Sequence, residues 1–413
     1  MSKIKKVFAR ELIDSRANPT VEAEIVINKN VIGRAIVPSG ASTGKYEALE
    51  LRDGDKKRFL GKGVLRAINN INTIINEGIK GMKIDDLIQI DSKLIMLDGT
   101  QNKSYLGANA TLAVSMACYE ASAKASKVPL FKMIEKQEKY NTPTPMLNVI
   151  NGGAHSNNNI DIQEFMIVPI KFASFKEKLR ASIEVYHSLK DLLKKDGLST
   201  SVGDEGGFAP MLNSHEEVLD YLIKSINKAG YKEGKDFMIA LDAAASEWAT
   251  NEEGIYLLPK SNQRFTSEQL INYWEKLCNK YPILSIEDGL GEDDYKGWKK
   301  LTQRLGNKIM LVGDDLFVTN PTKLQNGINK KIANSILIKP NQIGTILETL
   351  STINLAKNAN YNVIISHRSG ESEDTFISHL AVGVNAPYIK TGAPCRSERV
   401  AKYNELLRIE EQI

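Results

Sequence analysis

Little in this 413-residue sequence points toward a membrane, a nucleic acid or an oxidising compartment. No stretch reaches the roughly 18 uninterrupted apolar residues of a membrane span. Charge of neither sign dominates: 54 basic residues stand against 50 acidic ones, a net charge of +4. So even a balance leaves no electrostatic footprint for a nucleic acid, and no such partner is expected. There are only three cysteines, Cys118, Cys278 and Cys395, far apart and without pairing or zinc spacing. That scarcity excludes a disulfide scaffold and suits a reducing cytoplasm. The segment Met1–Lys6 has no apolar run behind it, so no signal peptide is expected. A dinucleotide fingerprint is missing too, and no long-range repeat suggests a solenoid.

What is present divides into two patterns. Residues 5–10, 20–28 and 31–37 alternate or run apolar, with Asn18-Pro19 and Asn28-Lys29-Asn30 between them. They read as a three-stranded antiparallel meander. Apolar residues at Val64, Leu65, Ile68, Ile71, Ile75 and Ile79 then recur at helical spacing. Further helices are expected near 84–97 and over 107–127, the second rich in Ala and Ser. The Pro- and Gly-containing stretch "KYNTPTPMLNVINGG" follows, and the domain boundary is placed there: 1–138 an α+β capping domain, 139–413 a catalytic domain.

Beyond it, short apolar strands alternate with helix-length segments. Six of these strands end on a charged or polar residue: Asp242, Glu287, Asp314, Lys339, His367 and Lys390. They follow one another at steps of 45, 27, 25, 28 and 23 residues. Most steps fit one strand–loop–helix unit, and the longest holds an insertion besides its helix. So many βα units in one run predict a parallel sheet closed into a (β/α)₈ barrel. In such a barrel the chemistry gathers at the carboxyl ends of the strands. One polar strand end is commonplace where a chain meets water; six in register are not.

Asp242, Glu287 and Asp314 bring three carboxylates to successive strand ends. Like charges so placed repel unless a cation compensates them. An all-oxygen donor set selects a hard ion, Mg²⁺ rather than zinc. Lys339, His367-Arg368-Ser369 and Lys390 continue the ring as a basic arc. An acidic arc facing a basic one suits a phosphorylated carboxylate. Glycine loops add Glu205 in "SVGDEGGFAP" and His155 in "NVINGGAH"; "DIQEFMIVP" adds Gln163 and Glu164 at the start of an apolar strand. His187, His215 and His379 lie in helical patterns and read as structural. "GASTGKY", Gly40 to Tyr46, is no P-loop: three residues separate its glycines instead of four, and Tyr follows the Lys. It reads as a mobile loop that carries Ser39 to the site.

With these residues assembled, the sequence resembles the enolase family, of bacterial type. The likeness spans the chain through "VPSGASTG", "LDGTQNKSYLGANA", "NVINGGAH", "DIQEFMIVP", "VGDEGGFAP", "LDAAASE", "SIEDG", "IKPNQIGT", "SHRSGESED" and "IKTGAPCRSER". Ala17 departs from it, standing where the family usually has Gly. The resemblance implies interconversion of 2-phosphoglycerate and phosphoenolpyruvate with two Mg²⁺ ions per active site. It implies Asp242, Glu287 and Asp314 on the first metal and Ser39 on the second. Lys339 is implied as the base and Glu205 as the acid, with Arg368 and Ser369 on the phosphate. Lys390, Gln163, His155, Glu164 and His367 are implied around the substrate. It also implies a cytoplasmic homodimer or octamer of dimers. Some family members occur at cell surfaces and bind host proteins. A base must be uncharged, so Lys339 is expected well below its free pKa of about 10.4. Other readings make Lys339 a Schiff-base nucleophile, or the barrel an enolate-forming enzyme for a phosphate-free acid or a binding scaffold.

Overall fold

The structure, a computed structural model, describes residues 2–40 and 44–413. Residues 41–43, the centre of the expected mobile loop, lie outside the described residues. The chain opens with strands β1 (Lys6–Ile13), β2 (Pro19–Asn28) and β3 (Val31–Ile36), an antiparallel sheet in that order. Its buried face is the alternate set Val7, Ala9, Val21, Ala23, Ile25 and Ala35. Helices α1 (Leu65–Asn70) and α2 (Asn76–Ile79) are joined by one wide turn over 71–75. That arrangement buries Ile71, Ile75 and Ile79 completely. It also lets Asn72 and Asn76 accept the edge amides of Ala9 and Val7, each at 2.8 Å, so β1 has no bare edge there.

Helices α3 (Leu87–Asp98), α4 (Ala108–Ser126) and α5 (Leu130–Ile134) complete the first half. The Ala and Ser residues of α4 let it press against β3. A Cβ at Gly33 would lie 2.2 Å from the Ala117 carbonyl oxygen, so only glycine permits the approach. The turn before β2 holds Ala17 at φ 57°, a left-handed conformation that costs an alanine roughly 1–2 kcal/mol. Asp14 secures the turn by accepting the amides of Arg16 at 2.8 Å and Asn18 at 2.9 Å.

The second half contains β4 (Thr144–Asn151), β5 (Glu164–Pro169), α6 (Phe175–Lys195), α7 (His215–Lys228) and β6 (Phe237–Asp242). A small hairpin, β7 (Ile255–Leu257) and β8 (Arg264–Thr266), forms the insertion before α8 (Ser267–Lys280). Then β9 (Ile283–Glu287), α9 (Tyr295–Leu305), β10 (Met310–Gly313), α10 (Pro321–Lys330), β11 (Ser335–Ile338) and α11 (Ile346–Asn358) alternate. The chain ends with β12 (Asn362–Ser366), α12 (Phe376–Gly383), β13 (Tyr388–Lys390) and α13 (Ser397–Glu410). Most of the barrel helices open on a side-chain cap, including Ser174, Ser214, Thr266, Asp294, Asn320 and Thr345.

Eight strands close into a barrel in the order β10-β11-β12-β13-β4-β5-β6-β9. The expectation of an all-parallel sheet needs one correction: β5 runs antiparallel to both β4 and β6. The connection from β4 to β5 holds only a single 3₁₀ turn, Gly153–His155, too short to return the chain to the other end, so the strand comes straight back. The first residue of β5, not its last, therefore reaches the mouth.

The two halves share a joint. Asp91 accepts the Leu347 amide at 2.8 Å and Ser115 that of Ile346 at 3.0 Å, capping α11 from the first domain. Asp374 accepts the Ile36 amide at 3.0 Å, and Ser39 and Gly370 exchange backbone hydrogen bonds at 3.0 and 2.8 Å. Among the described residues, no helix is long and apolar enough to cross a membrane.

Candidate active site

All six polar strand ends meet at one mouth. Asp242, Glu287 and Lys390 are the last residues of their strands; Asp314, Lys339 and His367 come directly after theirs. Glu164 joins them from the start of β5, in register with Asp242. Asp242, Glu287, Asp314, His367 and Lys390 are buried, and so are Glu164, His155, Gln163, Glu205, Arg368 and Ser369. A polar cavity is lined by most of them. Its free space is only about 30 Å³, because the acidic and basic arcs close on each other through ion pairs.

The acidic arc is neutralised from within. The Lys390 ammonium donates to Asp242 and to both oxygens of Glu287 at 2.9 Å, and Glu164 lies 3.2 Å away. Lys339 pairs with Asp314, whose other oxygen accepts from Gln342 at 2.9 Å. Burial pushes Glu287 well above the usual carboxylate range, and neighbouring Asp242 adds to the push. Burial works hardest against the Lys339 charge, but Asp314 and then Glu287 favour it, and the pKa is raised on balance. The lowering expected of Lys339 leaned on nearby Mg²⁺ as well as on Arg368, Lys390 and burial; here its closest partner is the Asp314 carboxylate, which favours the ammonium.

The strand-end backbone is strained around these acids. Ala244, Asp288, Val318 and Thr319 all adopt positive φ, between 42° and 54°. Asp288, unnoticed in the sequence although it follows Glu287, accepts the amides of Asp314 at 3.0 Å and Asp315 at 2.8 Å. Burial, Asp315 and Asp314 push its carboxyl well above the usual range.

Across the mouth, Glu205 accepts from Asn148 at 3.0 Å, and His367 Nε2 lies 3.4 Å from it. His155 Nδ1 stands 3.8 Å from both Glu205 and Glu164. Burial raises Glu164 well above its ordinary value, helped by Glu205 beside it. Burial also opposes the Glu205 charge, but His367, then His155 and Arg399, hold that carboxyl well below its ordinary value. Burial lowers His155, and lowers His367 to about 4.

Arg368 is gripped by Glu47 through two contacts of 2.9 and 3.1 Å, and donates to Asn341 at 3.0 Å. Glu47 comes from a segment 321 residues away in sequence and carried no signal there, whereas Asn341 lies two residues after Lys339. The Ser39 hydroxyl donates to Glu50 at 3.0 Å and accepts from Arg52 at 3.2 Å. The Ser39 backbone pairs with Gly370, the residue after Ser369. Gln163 reaches Asp242 at 3.5 Å, and its Oε1 is buried without a hydrogen-bond partner.

These residues fit a hard divalent cation. The donors on the acidic arc are all oxygens, buried, and destabilised by one another. Among the described residues, two groups bring ligand atoms within 4.8 Å of one another: Asp288, Asp314 and Asp315, and His155, Glu164 and Glu205. Asp242 and Glu287 instead converge on Lys390, and Asp314 on Lys339. Enolases typically bind Mg²⁺, and acidic groups able to hold a metal are present.

Comparison with known families gives a match over nearly the whole chain. Residues 4–134 match the enolase N-terminal domain, and residues 139–413 the enolase C-terminal TIM barrel domain.

Proposed function

We propose that this chain, which belongs to the enolase family, is a hydro-lyase that reversibly dehydrates 2-phospho-D-glycerate to phosphoenolpyruvate. The observation that carries the reading is the mouth itself. A buried acidic arc and a buried basic arc face each other, with Lys339 poised on one side and Glu205 on the other.

Asp242, Glu287 and Asp314 would hold one Mg²⁺ ion, and Ser39 a second together with substrate oxygens. Bound there, the ions supply positive charge to a substrate carboxylate that becomes a dianion when its neighbouring proton leaves. Lys339 takes that C2 proton on Nζ. It can do so only uncharged, hence only once Asp314 no longer holds its ammonium. Glu205 delivers a proton to the departing C3 hydroxyl group. The neutral imidazoles of His155 and His367 line that side.

Arg368, with Ser369, binds the phosphate. A bidentate guanidinium matches phosphate as well as it matches the Glu47 carboxylate it now holds. Substrate entry would thus exchange one anion for another on Arg368. Lys390 and Gln163 orient the substrate carboxylate. Assembly as a homodimer or octamer of dimers is part of the proposal and is checked by sedimentation.

The test is direct. Phosphoenolpyruvate absorbs in the ultraviolet where 2-phosphoglycerate does not. Absorbance should rise when 2-phosphoglycerate is added with Mg²⁺ and stay flat with a chelator. A flat trace with Mg²⁺ present would overturn the reading.

A further inference from the structure

We propose that Arg399 is a positioning residue for this reaction: it fixes the His367 imidazole with its proton on Nε2, presented to Glu205 and the cavity. The inference rests on the proposed role of Glu205 as the acid.

Arg399 stands in the first turn of α13, and its side chain is fully buried. One guanidinium serves four acceptors. Nη1 donates to the Arg368 carbonyl and faces His367 Nδ1, both at 2.5 Å. Nη2 donates to the carbonyls of Ser369 at 2.6 Å and Asp204 at 3.2 Å. Two of those carbonyls lie on the segment leaving β12, and the third lies one residue before Glu205. The fork therefore ties the loop of the basic arc to the loop of the acid.

The tautomer follows from donor and acceptor counting. A guanidinium is always charged and offers donors only. His367 Nδ1, facing it at 2.5 Å, must offer its lone pair. The single proton of the neutral ring is then on Nε2. That nitrogen is buried, has no well-formed hydrogen bond, and lies 3.4 Å from Glu205 Oε2. It is a donor held ready at the mouth. Without Arg399 the ring could carry its proton on either nitrogen, and Glu205 would lose a defined neighbour. Second-layer groups that set a histidine tautomer in this way commonly change activity by roughly 10–100-fold.

The first measurement needs no activity. Nitrogen-15 NMR of the full-length protein labelled at histidine, with His367 identified from the His367→Gln spectrum, reports which ring nitrogen is protonated. A bare Nδ1 and a protonated Nε2 are expected at neutral pH; a protonated Nδ1 overturns the proposal. Next, Arg399→Lys removes the planar fork but keeps the charge. Turnover of 2-phosphoglycerate should fall roughly 10–100-fold in kcat with KM changed by less than about threefold, and the His367 spectrum should become a tautomer mixture. In a His367→Gln background the same substitution should cost little further. Independent, additive losses would mean that Arg399 serves only the fold, and the proposal would fall. Should Arg399→Lys fail to fold, the wild-type spectrum still decides. Should the wild-type chain turn over no 2-phosphoglycerate, the proposed function fails while the tautomer is still measured.

Discussion

The same eight strands build two opposite environments about 7 Å apart, two residues along each strand. Inside the barrel, Met146, Met166, Val168, Ala240, Met310, Val312, Leu337 and Ile364 form a separate apolar plug. At the mouth stand buried charges. The two layers are in register. Ala240 is followed at two residues by Asp242, Val312 by Asp314, Leu337 by Lys339 and Ile364 by Ser366, each pair on one face of its strand. On β5 the order reverses, and Glu164 precedes Met166. The plug is satisfied by packing and needs nothing else. The mouth is satisfied largely by pairing charge against charge, with Asn148 and Gln342 donating to Glu205 and Asp314. Stability and chemistry are thus divided by one step of strand alternation.

Lys339→Ala should break the comparison most strongly on the catalytic side. Loss of the proposed base is expected to lower kcat by roughly 10⁴-fold and to abolish solvent exchange of the C2 proton, followed by NMR in deuterium oxide. Persistent exchange would remove Lys339 from that role. Glu205→Gln comes next, slowing dehydration by roughly 10²–10⁴-fold while exchange at C2 survives. Equal loss of both would leave Glu205 with only a loop-holding part.

Lys390→Ala tests whether pairing, not packing, holds the mouth. It leaves Asp242, Glu287 and Glu164 buried without their common cation. In chelator the variant should lose about 3–5 kcal/mol of stability, seen as a fall in urea midpoint. Added Mg²⁺ should recover more of that loss in the variant than it adds to the parent. Met166→Ala is the counterpart in the plug. Its side chain is completely buried, so about 2–5 kcal/mol should disappear, with kcat per folded molecule within about twofold of the parent. A Met166 variant that was stable but slow would merge the two layers.

This layering also explains what could be read beforehand. Asp242, Asp314 and Lys339 were visible because each closes an unbroken apolar run, and packing forces such runs inside. Strand direction was not visible. β5 looks the same read either way, and only its pairing with β4 and β6 shows that Glu164 leads. Glu47, Asn148 and Arg399 stayed hidden for another reason. Their partners lie 321, 57 and 32 residues away, and no local pattern marks a side chain whose use is to hold a distant one. Lys339 shows the same limit: burial, neighbouring cations and opposing acids were foreseeable, but the direct contact with Asp314 was not.

The smallest expected effect separates two buried histidines. His367 at the mouth and His215 at the start of α7 are both lowered to about 4 by burial. His215 is held between the Ile162 amide at 3.4 Å and the Tyr273 hydroxyl at 2.8 Å, outside the cavity lining. Above pH 6.5 such a ring is neutral in both folded and unfolded chains and contributes no pH dependence. As the pH falls from 6.5 toward 4, the unfolded chain binds a proton that the fold refuses, so stability drops with acidification. The full loss per ring is about 3 kcal/mol and is complete near pH 4. His215→Gln should therefore flatten the acid limb of the stability curve by up to that amount, with kcat unchanged at neutral pH. His367→Gln should flatten it comparably and slow turnover as well. If His215→Gln slowed turnover equally, the line between the mouth and its scaffold would have to be drawn elsewhere.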